Sequence, residues 1–264
     1  MKVNKVKNKI IEDLAQKDYI FGVGQTGDIN AKMIAGFSDI DMFVLCSRIP
    51  TREERITLYE KYSSEYSDLQ MNVCCGGLWG YGDILFIEEI DVMYMYFTIE
   101  EMENYVDEVL SGKHLNRKNG FYPTGRLASI ETIHILYERN EVWTKLKEKV
   151  ASKPAELFDK LFTFHLSNII NEEDLGRVKL RKEVLFYQTV LENALDHFLQ
   201  ALYALNQVYF PSRKRIETYI DSFYKKPEHC FDRFLQITQK SVCFETIDES
   251  IKELKEITKE LSEL

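Results

Sequence analysis

No stretch of this 264-residue sequence approaches the roughly twenty consecutive apolar residues that a membrane-spanning helix needs. The basic residues 1–9 at the N-terminus are followed by the mixed segment 10–13, not by the apolar core of a signal peptide. We therefore expect a cytoplasmic protein with no membrane partner.

The sequence also lacks the cysteine and histidine spacings of a zinc site or a disulfide framework. Its five cysteines are odd in number and form no Cys-x-x-Cys pair, and its five histidines form no His-x-x-x-His group. Unpaired thiols indicate a reducing compartment. We assign no metal-binding or nucleophilic role to any cysteine or histidine.

Positive charge is scarce, since the sequence has 34 Lys and Arg against 43 Asp and Glu, which gives a formal charge of −9. A protein that holds long DNA or RNA needs clustered cations to neutralise phosphates. We therefore expect a small-molecule partner and no long nucleic acid. Two basic clusters, residues 179–182 and 213–215, are either solvated helix ends or local phosphate contacts.

What the sequence does contain is a pair of aspartates, Asp39 and Asp41, that runs into the apolar residues 42–45. Side chains alternate between the faces of a strand, so both carboxylates point the same way, about 6–7 Å apart at Cα. Mg²⁺ is usually held by one or two carboxylates together with substrate phosphates. The spacing predicts phosphoryl or nucleotidyl transfer, and the plainer alternative is an exposed, solvated pair.

Two neighbouring segments extend this pattern. Residues 18–24 form a short apolar run that ends in glycines, which is typical of a strand leading into a tight turn. Residues 89–97 form another predicted strand, and it carries a third carboxylate, Asp91. The chain thus presents a glycine turn, an acidic pair and a third acid, in that order.

In this order the chain resembles the nucleotidyltransferase superfamily that includes DNA polymerase β and the kanamycin nucleotidyltransferases. The family pattern is a hydrophobic residue, Gly, then Gly or Ser, a spacer, Asp-hydrophobic-Asp or Glu, and a later third acid. The residues that match it are Val23-Gly24, Asp39-Ile40-Asp41 and Asp91. The resemblance implies that Asp39 and Asp41 ligate two Mg²⁺ ions on a nucleoside triphosphate. It also implies that Asp91 ligates the catalytic ion or takes the proton of the acceptor hydroxyl.

The same resemblance implies nucleotide contacts around the glycine turn. Gly24 would let the backbone approach the phosphates, and Ser38, directly before the acidic pair, is a further candidate for nucleotide binding. Gln25 stands where the family has Ser or a second Gly and can donate through its amide, while Thr26 supplies a hydroxyl one position later. This departure leaves a degenerate, non-catalytic family member open as an alternative.

Gly22, Gly24 and Gly27 also match the glycine pattern of dinucleotide-binding folds. Such a fold needs a helix after the third glycine and then a second strand. The ten residues between Gly27 and Ser38 are too few for both, so we disfavour a nicotinamide or flavin site.

The periodicity changes at residues 152–154, with β-rich runs before and only helical patterns after. We predict an α+β fold, with a nucleotidyltransferase-like mixed sheet and helices in residues 1–150 and an all-α helical bundle in residues 151–264. The predicted strands are 19–23, 39–46, 69–75, 84–97 and 132–137. The longest predicted helices are 178–209 and 247–264, and the glycine-rich segment 76–82 is a loop.

A second resemblance lies in the helical half. Residues 206–214 carry an Asn-x-x-Tyr-Phe-Pro-x-x-Lys signature and are similar to a helical domain of unassigned function that follows bacterial nucleotidyltransferase domains. Asn206 and Lys214, together with Arg181 from the first basic cluster, are candidate acceptor or phosphate contacts. By analogy with two-domain antibiotic nucleotidyltransferases, the bundle would bind the acceptor.

These features predict an Mg²⁺-dependent nucleotidyltransferase that moves a nucleoside monophosphate, AMP from ATP, to a hydroxyl of a small-molecule acceptor and releases pyrophosphate. One alternative is a catalytically silent, antitoxin-like binding module with the same fold. Another is an enzyme with a protein or tRNA acceptor. Homodimerisation stays open.

Overall fold

The structure is a computed structural model that describes residues 2–118 and 120–264. The chain divides into two compact units. One unit comprises the chain up to Val109 together with Arg126–Ser152, and the other comprises Leu110–Gly125 with Lys153–Leu264. Residues 110–125 therefore group with the helical part of the chain, which a single boundary near residue 150 does not anticipate.

The first unit is built on a six-stranded mixed sheet, as predicted for this part of the chain. Its strands are β1 (Ile20–Gln25), β2 (Asp39–Cys46), β3 (Asp68–Cys75), β4 (Tyr81–Ile87), β5 (Ile90–Thr98) and β6 (His134–Glu138). They lie in the order β3-β4-β5-β2-β1-β6. β2 and β5 pair in parallel, and the other neighbouring pairs are antiparallel.

One face of this sheet packs against α1 (Lys2–Ala15) and α2 (Arg52–Glu60). The first helix buries four apolar residues at helical spacing, as the sequence predicts: Val3, Val6, Ile10 and Leu14. Alternation along β2 turns Ile40 and Met42 toward the same core. Asp39 and Asp41, which alternate with them along β2, are thereby directed to the opposite face.

Three helices complete this unit: α3 (Ile99–Leu110), the part of α4 (Pro123–Glu131) from Arg126 onward, and α5 (Val142–Ala151). The last two contact the opposite face of the sheet. Trp143 of α5 lies 6.4 Å from the Phe43 ring, centroid to centroid, and is fully buried. This face is thus covered by helices where β2 is apolar.

Two predicted elements divide in the structure. The run 84–97, predicted as one strand, is the antiparallel pair β4 and β5, which turns at Glu88 and Glu89 with φ of +54° and +59°. The run 178–209, predicted as one helix, is broken at Lys182, whose φ is also +54°. These residues adopt the left-handed conformation without being Gly or Asn, so the sequence carries no turn signal at either break.

The second unit is an all-α bundle, as predicted. Its further helices are α6 (Ala155–Ser167), α7 (Glu172–Arg181), α8 (Val184–Leu205), α9 (Ile216–Ser222), α10 (Cys230–Ser241) and α11 (Ile247–Glu263). The core lies around α8, where Phe198 and Leu202 are fully buried, and α11 adds Ile251 and Leu254. Within the two described ranges, no helix combines the length and apolarity that crossing a membrane requires.

Candidate functional site

The three predicted acids lie on one face of the sheet. Asp39 begins β2 and is the direct partner of Asp91 on the parallel neighbour β5, and Asp41 follows two positions later on β2. Paired residues of neighbouring strands, and residues two apart on one strand, point to the same face. The structure therefore brings Asp39, Asp41 and Asp91 together, with Asp39 exposed and the other two half-buried.

Ser38 has a structural role in the loop that precedes β2. Its Oγ accepts a hydrogen bond from the N–H of Ile34 at 2.9 Å, and its own N–H donates to the Ile34 carbonyl at 2.9 Å. The N–H of Gly36 donates to the Glu89 carbonyl at 2.8 Å, which ties the same loop to the turn between β4 and β5. These bonds set how the chain enters β2 and so where Asp39 lies.

The acids do not form a complete metal cage. Among residues 2–118 and 120–264, no group of three or more His, Cys, Asp or Glu side chains is placed to hold a metal ion. Mg²⁺ does not need one, because it usually binds one or two carboxylates and completes its shell with substrate phosphates and water. The carboxylates of Asp39 and Asp41 fit this open type of site.

A buried cation, Arg126 of α4, lies beside the acids. Its guanidinium carbon is 4.5 Å from the ring centroid of Phe43 and 4.7 Å from that of Phe97, and its Nη2 donates to the Leu78 carbonyl at 2.5 Å. Phe43 is two residues beyond Asp41 on the same face of β2. Burial lowers the pKa of Arg126 to about 10, and the charge of Asp41 acts to raise it. The guanidinium is therefore protonated at neutral pH.

A cavity of about 380 Å³ opens at Arg126 within the same unit. It lies between Phe97 of β5, Tyr105 of α3 and the short 3-10 turn Gly77–Trp79, which connects β3 to β4 as a plain hairpin connection. Volumes of this size accommodate small ligands. Arg126 thus lies both beside the acidic face of the sheet and at a cavity that has room for part of a small ligand.

The side chain of Gln25 lies away from the acids. Gln25 pairs with Met42, which is in the core on the other face of the sheet. Its Oε1 accepts a hydrogen bond from Nζ of Lys7 in α1 at 2.7 Å, and both side chains are buried. This corrects the phosphate contact expected of the Gln25 amide, because that amide faces α1.

Gly24 and Thr26 have different surroundings. Gly24 pairs with Phe43, but a Cβ added at Gly24 would lie 2.4 Å from Cδ1 of the buried Ile133. Close packing, not an approach to phosphate, therefore explains the glycine. The N–H of Thr26 donates to the Asp41 carbonyl at 3.0 Å, which continues the β1–β2 pairing and puts Thr26 opposite Asp41. Among the residues of the glycine turn, Thr26 is the one beside the acids.

The three candidates in the helical unit have separate surroundings. Arg181 is exposed at the end of α7, with its Nη1 3.8 Å from a carboxylate oxygen of Glu183. Asn206 follows α8; its Nδ2 donates to the Lys225 carbonyl at 2.8 Å, and its Oδ1 accepts from the Lys225 N–H at 3.1 Å. Lys214 is exposed. Asn206 thus connects the end of α8 to the backbone at Lys225. Arg181 and Lys214 are surface residues.

A buried polar centre in the second unit has no signal in the sequence. Oδ1 of Asp196 accepts a hydrogen bond from the Tyr122 hydroxyl at 2.5 Å and from Nε of Arg213 at 2.8 Å. Its Oδ2 accepts from the Gln200 amide at 3.1 Å. Tyr122 is 74 residues away in sequence and Arg213 is 17 residues away, so no local spacing marks the group. Arg126, a single arginine without a flanking pattern, lacks a signal for the same reason.

Comparisons with known proteins bear on the fold. A family described as a domain of unknown function (DUF4037) matches residues 121–215, which contain Tyr122, Asp196 and Arg213. A crystal structure of a nucleotidyltransferase-like protein from Exiguobacterium sibiricum 255-15 is similar over 97% of this chain and 74% of that chain, with 11% identity and a TM-score of 0.51. A comparison with curated proteins finds no match. At this identity the likeness shows the fold alone, which is nucleotidyltransferase-like, and the narrower resemblance to kanamycin nucleotidyltransferases stays a prediction.

Proposed function

We propose that the protein is a nucleotidyltransferase that moves AMP from ATP to a hydroxyl of a small molecule and releases pyrophosphate. The observation that carries this proposal is the alignment of Asp39, Asp41 and Asp91 on one face of two adjacent parallel strands, beside the buried Arg126. Carboxylates alone would repel a triphosphate, but carboxylates with Mg²⁺ and a guanidinium form a site for its phosphates. The nucleotidyltransferase-like fold supports the proposal without testing it.

Each side chain has a distinct task in the proposed transfer. Asp39 and Asp41 would hold Mg²⁺, which when bound supplies positive charge to the phosphates. Arg126 would bind a phosphate oxygen through a cation that stays protonated at neutral pH. Asp91 would accept the proton of the acceptor hydroxyl, whose oxygen bonds to the α-phosphorus as the bond to pyrophosphate breaks.

Nucleotide binding is the first test. In isothermal titration of the full chain, a non-hydrolysable ATP analogue should bind only when Mg²⁺ is present. The Asp39→Asn, Asp41→Asn double variant should lose this binding and still fold, because Asp39 is exposed and Asp41 is half-buried. Asp68→Asn is the matched control, since it removes an exposed carboxylate from β3 of the same sheet and should leave binding unchanged.

Two outcomes would contradict the proposal. Equal affinity of the parent and the double variant would mean that the nucleotide does not use the acids. Binding that is the same with and without Mg²⁺ would mean that no metal joins the phosphates to the protein. If binding needs both the acids and Mg²⁺, turnover assays with hydroxylated acceptors are the next step.

A catalytically silent binding module is the second candidate, and the placement of Gln25 favours it. The position that contacts phosphate in the family carries a side chain that faces α1, and the neighbouring Gly24 is covered by Ile133. Such a module predicts weak or metal-independent binding of the triphosphate. The same titration therefore separates the two candidates.

A further inference from the structure

The helical unit contains its own cavity, about 470 Å³ in volume. The walls are residues 116–117, the connection between α6 and α7, and one side of α8. This volume is in the range of sites that bind small molecules. Most of the polar side chains that line it are uncharged: Asn116, Asn168, Asn171, Thr189, Asn193 and His197.

The charges around this cavity are balanced by the protein itself. The carboxylate of Asp196 is 2.8 Å from the guanidinium of Arg213, and Arg117 lies 3.9 Å from the same carboxylate. Asp174 pairs with Arg177 at 2.9 Å. A charged ligand would break one of these pairs or add an unbalanced charge. The cavity therefore suits a neutral ligand.

Several lining side chains have hydrogen-bonding groups to spare. The side chains of Asn116, Thr189 and Asn193 are exposed and make no hydrogen bond to any other residue that the structure describes. Each amide offers two donors and an acceptor, and the threonine hydroxyl offers both. The half-buried ring of Phe186 adds an apolar wall. Closely spaced donors and acceptors beside an apolar ring complement the hydroxyls and the carbon skeleton of a polyol.

Two histidines fix the position of a lone pair on His197, which lines the cavity. Nε2 of His165 lies 3.1 Å from the Leu115 carbonyl, which only accepts, so Nε2 carries the proton and Nδ1 of His165 is an acceptor. The donor in the 2.9 Å contact between the two Nδ1 atoms is therefore His197. Burial lowers the pKa of His165 to about 4 and also lowers that of His197, so both rings are neutral at pH 7. The remaining nitrogen, Nε2 of His197, is an unprotonated acceptor.

We propose that this cavity binds a neutral, polyhydroxylated small molecule, one hydroxyl of which donates a hydrogen bond to Nε2 of His197. Asn116, Thr189 and Asn193 bond to the other hydroxyls. The proposal goes beyond the transferase function, because binding here needs neither nucleotide nor Mg²⁺. It stands or fails independently of that function.

Saturation-transfer NMR of the full chain with myo-inositol, without nucleotide or metal, tests this proposal. We expect transfer to the inositol ring and a shift of the ¹⁵N resonance of His197 Nε2. Asn193→Ala should weaken binding by about three- to tenfold, the effect of a lost neutral hydrogen bond. Asn4→Ala is the matched control, since it removes an exposed amide from α1 and should leave inositol binding unchanged.

His197→Phe gives a second check, because it removes the acceptor and should also weaken binding. Near-UV circular dichroism shows whether this variant folds, and Asn193→Ala decides if it does not. The proposal is overturned by an absence of transfer to both myo-inositol and glucose, or by unchanged binding in Asn193→Ala. Binding of inorganic phosphate or spermidine that Asn193→Ala abolishes would overturn the assignment to a neutral ligand.

Discussion

Gly22 of β1 is a glycine because of what packs on it. A Cβ at this position would lie 2.6 Å from Cδ1 of Trp143, and Trp143 is fully buried. An indole ring is rigid and its pocket is filled, so it cannot move aside as a flexible surface side chain would. Gly22 and Gly24, which suggest a phosphate-binding turn in the sequence, thus serve the packing of the sheet.

We expect Gly22→Ala to lower the free energy of unfolding by about 1–3 kcal/mol, the usual cost of overpacking a core. Gly176→Ala is the control: apart from its chain neighbours and the adjacent backbone of α7, no described residue lies within 4 Å of a Cβ added at Gly176. There alanine should raise the free energy of unfolding by about 0.5–1 kcal/mol through helix propensity. Urea unfolding followed by tryptophan fluorescence measures both, and unchanged stability of Gly22→Ala would contradict the packing described.

The acidic pair could be predicted from the sequence, while its neighbours could not. Alternation along a strand is a local rule, so spacing alone puts Asp39 and Asp41 on one face. The face of Gln25 depends on how β1 pairs with β2, because a shift of one residue reverses every side chain. The position of Arg126 depends on how α4 packs, which is a tertiary contact without a local signal.

At the scale of elements, strong periodicity located β2, β3 and α11 to within one residue of their ends. The turn between β4 and β5 instead uses Glu88 and Glu89 in a conformation that Asn-Gly usually supplies. The break after α7 uses Lys182 in the same way, and Nζ of Lys182 contacts the Asp248 carboxylate of α11. Contacts with distant residues stabilise such turns, and those contacts lie outside any local sequence window.

The packing of α6 on α8 contains a titratable pair. His165 of α6 is fully buried and shares a hydrogen bond with His197 of α8. Burial lowers the pKa of His165 from 6.5 to about 4, the neighbouring His197 acts in the same direction, and Asp196 acts to raise it. The pairing of these helices therefore depends on neutral imidazoles.

We expect stability to fall on acidification from about pH 6.5 to pH 4. Unfolded His165 binds a proton near pH 6.5 and folded His165 only near pH 4, so the unfolded state holds more protons between these values. The contribution of His165 to the free energy of unfolding is fully present above pH 6.5, and up to about 3 kcal/mol of it is lost by pH 4. Urea unfolding across this pH range measures the loss.

His165→Gln is the control for this pH dependence. Its amide can still donate to the Leu115 carbonyl and accept from His197, but it does not titrate. Carboxylates titrate in both proteins, so the difference in slope isolates the histidine. Identical slopes in the parent and the variant would contradict a buried, neutral His165.

At the scale of the whole molecule, Asp and Glu outnumber Lys and Arg, and the formal charge is −9. Many of the cations are already paired with carboxylates. In the first unit Arg55 pairs with the fully buried Asp83 at 2.7 Å. In the second unit Arg213, part of the basic cluster at 213–215, is 2.8 Å from Asp196. Such pairs neutralise charge that a phosphate backbone would otherwise contact.

We therefore expect no binding of long nucleic acid. The fluorescence anisotropy of a labelled DNA duplex and of a labelled tRNA should stay constant up to about 100 μM protein, which covers the usual range for non-specific binding. Low salt makes this test stringent, because phosphate contacts are strongest there. A saturable rise in anisotropy would instead reveal a basic surface. In that case a plot of log K against log salt concentration should have a slope of about −0.9 for each phosphate that the protein contacts. If the rise occurs with the tRNA and not with the DNA duplex, a tRNA acceptor becomes a better hypothesis for the proposed transfer than a small-molecule acceptor.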